Sequence, residues 1–183
     1  MAAPFPRLFR PERRRGTLIV LALVTVAFGV AALPSLGDMQ DHGVGIIELE
    51  FTGTAEKAAA HYAELGPDGR SAARTSLLLD YGYLVGYGLF LAAACVAVAD
   101  RARRTGRTQL AALGPALAWG ALAAAACDAV ENGALLLILD GHTDQPWPAI
   151  AFACASVKFA LATSASLYAL GGWLATLGRT AAA

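Results

Sequence analysis

The sequence predicts an all-α fold, a polytopic membrane four-helix bundle with a short extracytoplasmic loop region containing a small helix. Three observations predict it. Of 183 residues, 57% are hydrophobic and only 15% charged, whereas a soluble domain carries about 25% charged residues. Four apolar runs, Thr17–Leu33, Leu77–Ala99, Leu110–Leu139 and Ala149–Leu177, match the ~20 residues a helix needs to cross a bilayer. The charges are also sorted by connection, with arginines crowding some and acids the others. The reading is one membrane domain over 1–183, with spans at about 17–36, 76–99, 110–139 and 149–177 and an outer loop at 37–75.

Arg7, Arg10, Arg13, Arg14 and Arg15 precede the first span against a single Glu12. An arginine-rich start before an apolar run also describes a secretory signal. The run exceeds the usual signal core, however, and Ala31 and Ala32 make a poor cleavage site, so it reads as an orientation anchor near anionic lipid. Pro34 is expected to end the span.

The outer loop holds Asp38, Asp41, Glu48, Glu50, Glu56, Glu64 and Asp68 against Lys57, Arg70 and Arg74. Within it, Ile46–Phe51 partly alternates apolar and acidic residues and predicts a short exposed strand or extended segment. Thr54 is suited to cap a helix over Ala55–Leu65, which Gly66-Pro67 should stop. That helix would lie on the outer membrane face as a lid.

The second span should begin close after Arg74. Its Gly82 and Gly86 form a G-x-x-x-G pair, which favours close helix packing within the bundle over dimerisation. Tyr81 and Tyr83 suit the outer interface. Arg101, Arg103, Arg104 and Arg107 fill the second connection. In the third span, Gly114-Pro115 predicts a helix start or kink that would leave Leu110–Leu113 interfacial. Asp140 and Asp144, with no Lys or Arg, occupy the third connection, and Arg179 follows the fourth span. Positively charged connections stay in the cytoplasm, which predicts a multi-pass protein of the inner or plasma membrane with both termini cytoplasmic.

Cys95, Cys127 and Cys154 fall in spans two to four with no metal spacing and read as small apolar packers. His42, His61 and His142 lie on the outer side, again without ligand spacing, and read as solvated. No nucleotide loop, H-E-x-x-H or serine elbow occurs. No metal, cofactor or nucleic acid is therefore expected.

The informative residues are charges inside apolar sequence. Asp128, Glu131 and Asn132 occur at i, i+3 and i+4 of the third span and share one helix face. Asp128 and Glu131 lie eleven and eight residues before Leu139, and Lys158 lies ten after Pro148. With ~1.5 Å rise per residue, all three fall roughly 12–17 Å below one membrane face. Ionised groups at that depth are costly and face a protein interior, so Lys158 should meet Asp128 or Glu131. Two acids sharing low dielectric raise each other's proton affinity, as general acid–base chemistry requires. Asp80 lies about one turn inside the second span, placed to pair with Arg74 or reach the cluster, and Tyr87 lies near the depth of Lys158.

Asp80-Tyr81, Asp128-Ala129-Val130-Glu131-Asn132 and Lys158 resemble an uncharacterised family of small bacterial four-helix integral membrane proteins, a likeness running from about Gly43 to Leu170. The resemblance implies the architecture and no activity.

Three functions fit. The first is binding of a small hydrophobic or lipid-like ligand, with Asp80, Tyr87, Trp119 and Asn132 as its contacts. The second is isomerase- or cyclase-type acid–base chemistry on a lipid or isoprenoid, with Asp128, Glu131 and Lys158 as catalytic candidates. The third is a scaffold in which the cluster is only an interhelical salt bridge. Membrane lipids and a homo-oligomeric copy are the candidate partners.

Overall fold

A computed structural model of the chain describes residues 2–5, 9 and 12–176. Arg7, Arg10, Leu177 and Arg179, which carry part of the charge and span expectations, lie outside the described residues. Among the described residues there are five helices and no strand: α1 (Arg14–Asp41), α2 (Ile46–Glu50), α3 (Ala55–Arg104), α4 (Thr108–Leu139) and α5 (Trp147–Thr176). The all-α class holds. α1, α3, α4 and α5 are long and apolar enough to cross a membrane, which marks a multi-pass membrane protein.

Alanine and leucine dominate α4 and α5 all round, as spanning helices require. Only 6% of the most apolar stretch of α1 is buried, against 50% of that of α3. α3 is therefore the packed helix, and α1 turns most of its side chains outward.

Three local expectations are corrected. α1 runs through Pro34 to Asp41, and α4 starts at Thr108, so Pro115 lies inside the helix and does not start it. Proline removes one backbone donor, but an apolar surrounding penalises every unpaired backbone group, so the helix resumes at once. Residues 46–50 form a helix and no strand. The helix that carries the second span starts at Pro67, ahead of the span itself. Gly66 adopts φ 59°, ψ −175° there, interrupting α3 as the Gly-Pro pair predicts. Proline at the first position of the new segment lacks only a donor that the helix would not use. Upstream, Lys57 N donates to Thr54 Oγ1 at 3.3 Å, the expected cap of the preceding segment.

The described residues divide into two compact units. The first falls within 1–23, 86–125 and 159–183. Its core is rich in small residues, Ala92, Ala93 and Cys95 of α3, Ala118 and Ala121 of α4, and Ala165 of α5, beside Phe9, Val96 and Val98, with Tyr168 donating to the Leu110 carbonyl at 2.8 Å. The backbones approach closely. A Cβ on Gly114 would lie 2.4 Å from Ala99 Cβ, and one on Gly88 2.6 Å from Ala125 Cβ.

The second unit comprises 24–85 and 126–158. Larger side chains fill it, among them Met39, Leu49, Leu65, Leu77, Leu135 and Ile138. Gly82 receives the ring of Phe28, whose Cε1 would lie 2.2 Å from an added Cβ, so this glycine serves packing within the chain.

Candidate functional site

The second unit encloses a charged layer, assembled from three helices. α4 presents Asp128, Glu131 and Asn132 on one face, 3%, 0% and 1% exposed. Lys158 of α5 is 7% exposed and meets them.

The third contributor is Glu50, which the sequence pattern places among the loop acids. Its position follows from how residues 43–54 fold. Gly45 N donates to Glu48 Oε2 at 2.8 Å, capping α2, and Thr52 Oγ1 donates to the Leu49 carbonyl at 2.7 Å beyond its end. Phe51 stands edge-on against Phe152 of α5 with ring centroids 5.7 Å apart. Gln145 Nε2 donates to the Gly53 carbonyl at 3.3 Å. These contacts fix α2 over α5 and direct Glu50 inward, 8% exposed.

Lys158 Nζ donates to Glu131 Oε1 at 2.9 Å, Asp128 Oδ1 at 3.0 Å and Glu50 Oε1 at 3.1 Å. The predicted pairing is present, with both acids at once. An ammonium has three N–H donors, and each is used on a different carboxyl. That explains why one lysine is matched with more than one acid. Charge is still left over, and Glu50 Oε2 and Glu131 Oε2 are buried without a donor among the described residues. A proton on either carboxyl would supply one. Burial pushes the Glu50 carboxyl above its ordinary range, against the pull of the Lys158 ammonium.

Asp80 of α3 reaches the layer through Asn132, whose Nδ2 donates to Asp80 Oδ2 at 2.7 Å. Arg74, its alternative partner, pairs with Asp140 instead. Three carboxyls therefore contact the ammonium directly, and a fourth, that of Asp80, joins the layer through Asn132.

A cavity of 350 Å³ adjoins the layer. Phe28, Gly29, Ala32 and Leu36 of α1 and Ile46 and Ile47 of α2 form its apolar wall. Glu50, Ser76, Asp80, Tyr83 and Asn132 form the polar side.

The candidates are thus divided. Asp80 and Asn132 line the cavity, while Asp128, Glu131 and Lys158 lie behind it, outside the lining. Tyr87 and Trp119 belong to the first unit and line no part of the cavity, and the Trp119 indole donates to the Ala2 carbonyl at 3.1 Å. Glu50, Ser76 and Phe28 are absent from the sequence-based candidates. For Glu50 a usable signal exists: read with helical period, Ile46, Leu49 and Glu50 share one face.

Among the described residues no group of three His, Cys, Asp or Glu side chains is placed to hold a metal ion. His42 Nδ1 lies 2.7 Å from the Asp38 carbonyl, and His142 is exposed. The cysteines are free, with Cys95 buried and Cys127 and Cys154 partly so. No protein-family model, curated protein or solved structure matches the chain.

Proposed function

We propose that this multi-pass membrane protein holds a small amphiphile in the cavity of the second unit, with the apolar body against α1 and the polar end on Glu50, Asp80 and Asn132. One observation carries the reading: the polar side of the cavity is the edge of the charged layer, and its other walls are apolar. Sites for small ligands combine apolar walls with a few placed polar groups in this way. The carboxyl surplus supports a head that donates hydrogen bonds and disfavours an anionic one. Glu131, fully enclosed, takes no part in contact with the ligand; it holds Lys158, which in turn holds Glu50.

Farnesol, an isoprenoid alcohol, is a suitable probe. Thermal unfolding in detergent should show saturable stabilisation of the wild type by farnesol and none by farnesoic acid. Ala32→Phe, which fills the cavity from α1, should fold and lose the effect. A second reading, in which the layer is only a clip between helices, is favoured by the complete use of the lysine donors. It predicts that farnesol affects the wild type and Ala32→Phe alike, or neither.

The proposed orientation in the inner or plasma membrane has both termini in the cytoplasm, supported by the arginine-rich and acid-rich connections. On a background lacking Cys95, Cys127 and Cys154, an impermeant thiol reagent applied to intact cells should label cysteine at His61 or Thr143 and spare Thr105. Labelling at Thr105 from outside contradicts it.

A further inference from the structure

We infer that the first unit carries a separate site for an anionic glycerophospholipid, with one acyl chain in an apolar groove and the phosphate on arginines at its mouth. The groove has a volume of 450 Å³ and is walled by side chains such as Leu18 of α1, Phe90 and Ala94 of α3, and Ala169 and Leu170 of α5. A second depression of 650 Å³ shares Leu18, Ala97 and Trp173 with it and is lined by Arg14, Arg15, Arg101 and Arg104. An apolar channel thus opens directly onto a cluster of guanidinium groups, the arrangement of tail and head in a lipid.

The arginines at the mouth are not equivalent. Arg14 is held by Asp100 and by the Phe9 carbonyl at 3.3 Å. Arg101 donates to the Thr176 carbonyl from Nε at 3.3 Å and Nη2 at 3.1 Å, and its guanidinium lies 5.1 Å from the Trp173 ring centroid. Asp100, the acid in this depression, is already paired with Arg14 and Arg103. Arg15 and Arg104 are exposed, and among the described residues no hydrogen bond or ion pair engages them. Arg14 Nε is also buried there without an acceptor.

Two unengaged guanidiniums beside a fixed pair suit a phosphate diester, which guanidinium can bind through two hydrogen bonds. Trp173 between groove and mouth is the aromatic residue expected at the level of the headgroups. Basic pockets between spanning helices characteristically take such headgroups. The site is unrelated to the charged layer of the second unit, whose acids disfavour an anion.

Thermal unfolding and native mass spectrometry of the full chain in detergent would test this with defined probes. Palmitoyl-oleoyl phosphatidylglycerol should bind and stabilise, phosphatidylcholine of the same chains should do so much less, and glycerol phosphate, lacking the tail, should do nothing. Arg15→Gln and Arg104→Gln should each weaken phosphatidylglycerol binding on the order of fivefold. Ala94→Leu, which narrows the groove, should weaken it while leaving the arginines in place. Equal stabilisation by phosphatidylcholine, or phosphatidylglycerol binding unchanged in both arginine variants, would overturn the site. Stabilisation by glycerol phosphate alone would reduce it to a surface anion site without a groove. Should the arginine variants fail to fold, the comparison of the three probes on the wild type still decides.

Discussion

The two units solve the same problem, joining apolar helices where apolar side chains gain little from leaving lipid, by different means. In the first unit the helices meet through glycine and alanine, with backbones drawn close at Gly88, Gly114 and Gly172. Its apolar core includes the Tyr168 hydroxyl and Cys95, and Thr176 is buried in the same unit. In the second unit, three helices are tied by one ammonium shared among three carboxyls. Close packing is short-ranged and insensitive to pH. An ionic layer is costly to bury and costly to break, and its proton content varies with conditions. The first unit also carries ion pairs, Arg14 and Arg103 with Asp100, but these are more exposed than Lys158 and its acids, and a fully buried ionic layer adds little net stability. That contrast supports a role for the layer beyond holding helices together.

The largest expected effect tests the ionic device. Lys158→Ala strands three carboxyls in the second unit and should destabilise by roughly 3–5 kcal/mol in detergent unfolding. Replacing the whole layer together, Lys158→Met with Glu50→Gln, Asp128→Asn and Glu131→Gln, should cost much less. A single variant no worse than the fourfold one would show that the charges do not depend on one another.

The packing device should yield a smaller loss of a different kind. Gly114→Ala places a Cβ 2.4 Å from Ala99 Cβ and 3.0 Å from the Cys95 carbonyl. Overpacking of this sort costs roughly 1–3 kcal/mol, and the loss should be the same across pH. A pH-dependent loss would blur the distinction between the units.

The smallest effect concerns Glu50. Its carboxyl is raised above the ordinary 4.5, burial outweighing the lysine, so the folded chain holds this proton more tightly than the unfolded chain. Below 4.5 both states are protonated and Glu50 costs nothing. As pH rises from there to the folded value, the unfolded state ionises first and stability falls; above the folded value the cost is complete. Glu50→Gln removes this cost, so its stability relative to wild type should grow with pH through that window, by about 1.4 kcal/mol for every pH unit the window spans. A difference that stays flat would mean that Glu50 ionises normally.

Much of this is legible in the sequence because membrane spans are long and apolar. Asp128, Glu131, Asn132 and Lys158 stand out in such runs, and counting residues gives their common depth. Trp119 lies nine residues before Asp128 on α4, about 13 Å along the helix axis, so residue counting sets it apart from the layer, and Tyr87 falls just past the limit of the second unit at Val85. Pro34 and Pro115 mislead because a missing donor ends a helix in water more readily than in a surrounding with no competing partner. Glu50 is hidden twice over. Ile46–Phe51 fits a period of two nearly as well as 3.6, and its contact with Lys158 spans 108 positions, a distance no local pattern encodes.

A structure of the protein purified with farnesol decides whether the charged layer forms the polar wall of a ligand site. Elongated density should run along Phe28, Ala32 and Leu36, with the hydroxyl within hydrogen-bond distance of Glu50, Asp80 or Asn132. A cavity closed by these same side chains, with the farnesol hydroxyl bound elsewhere or nowhere, would contradict it and leave the layer as a clip between helices.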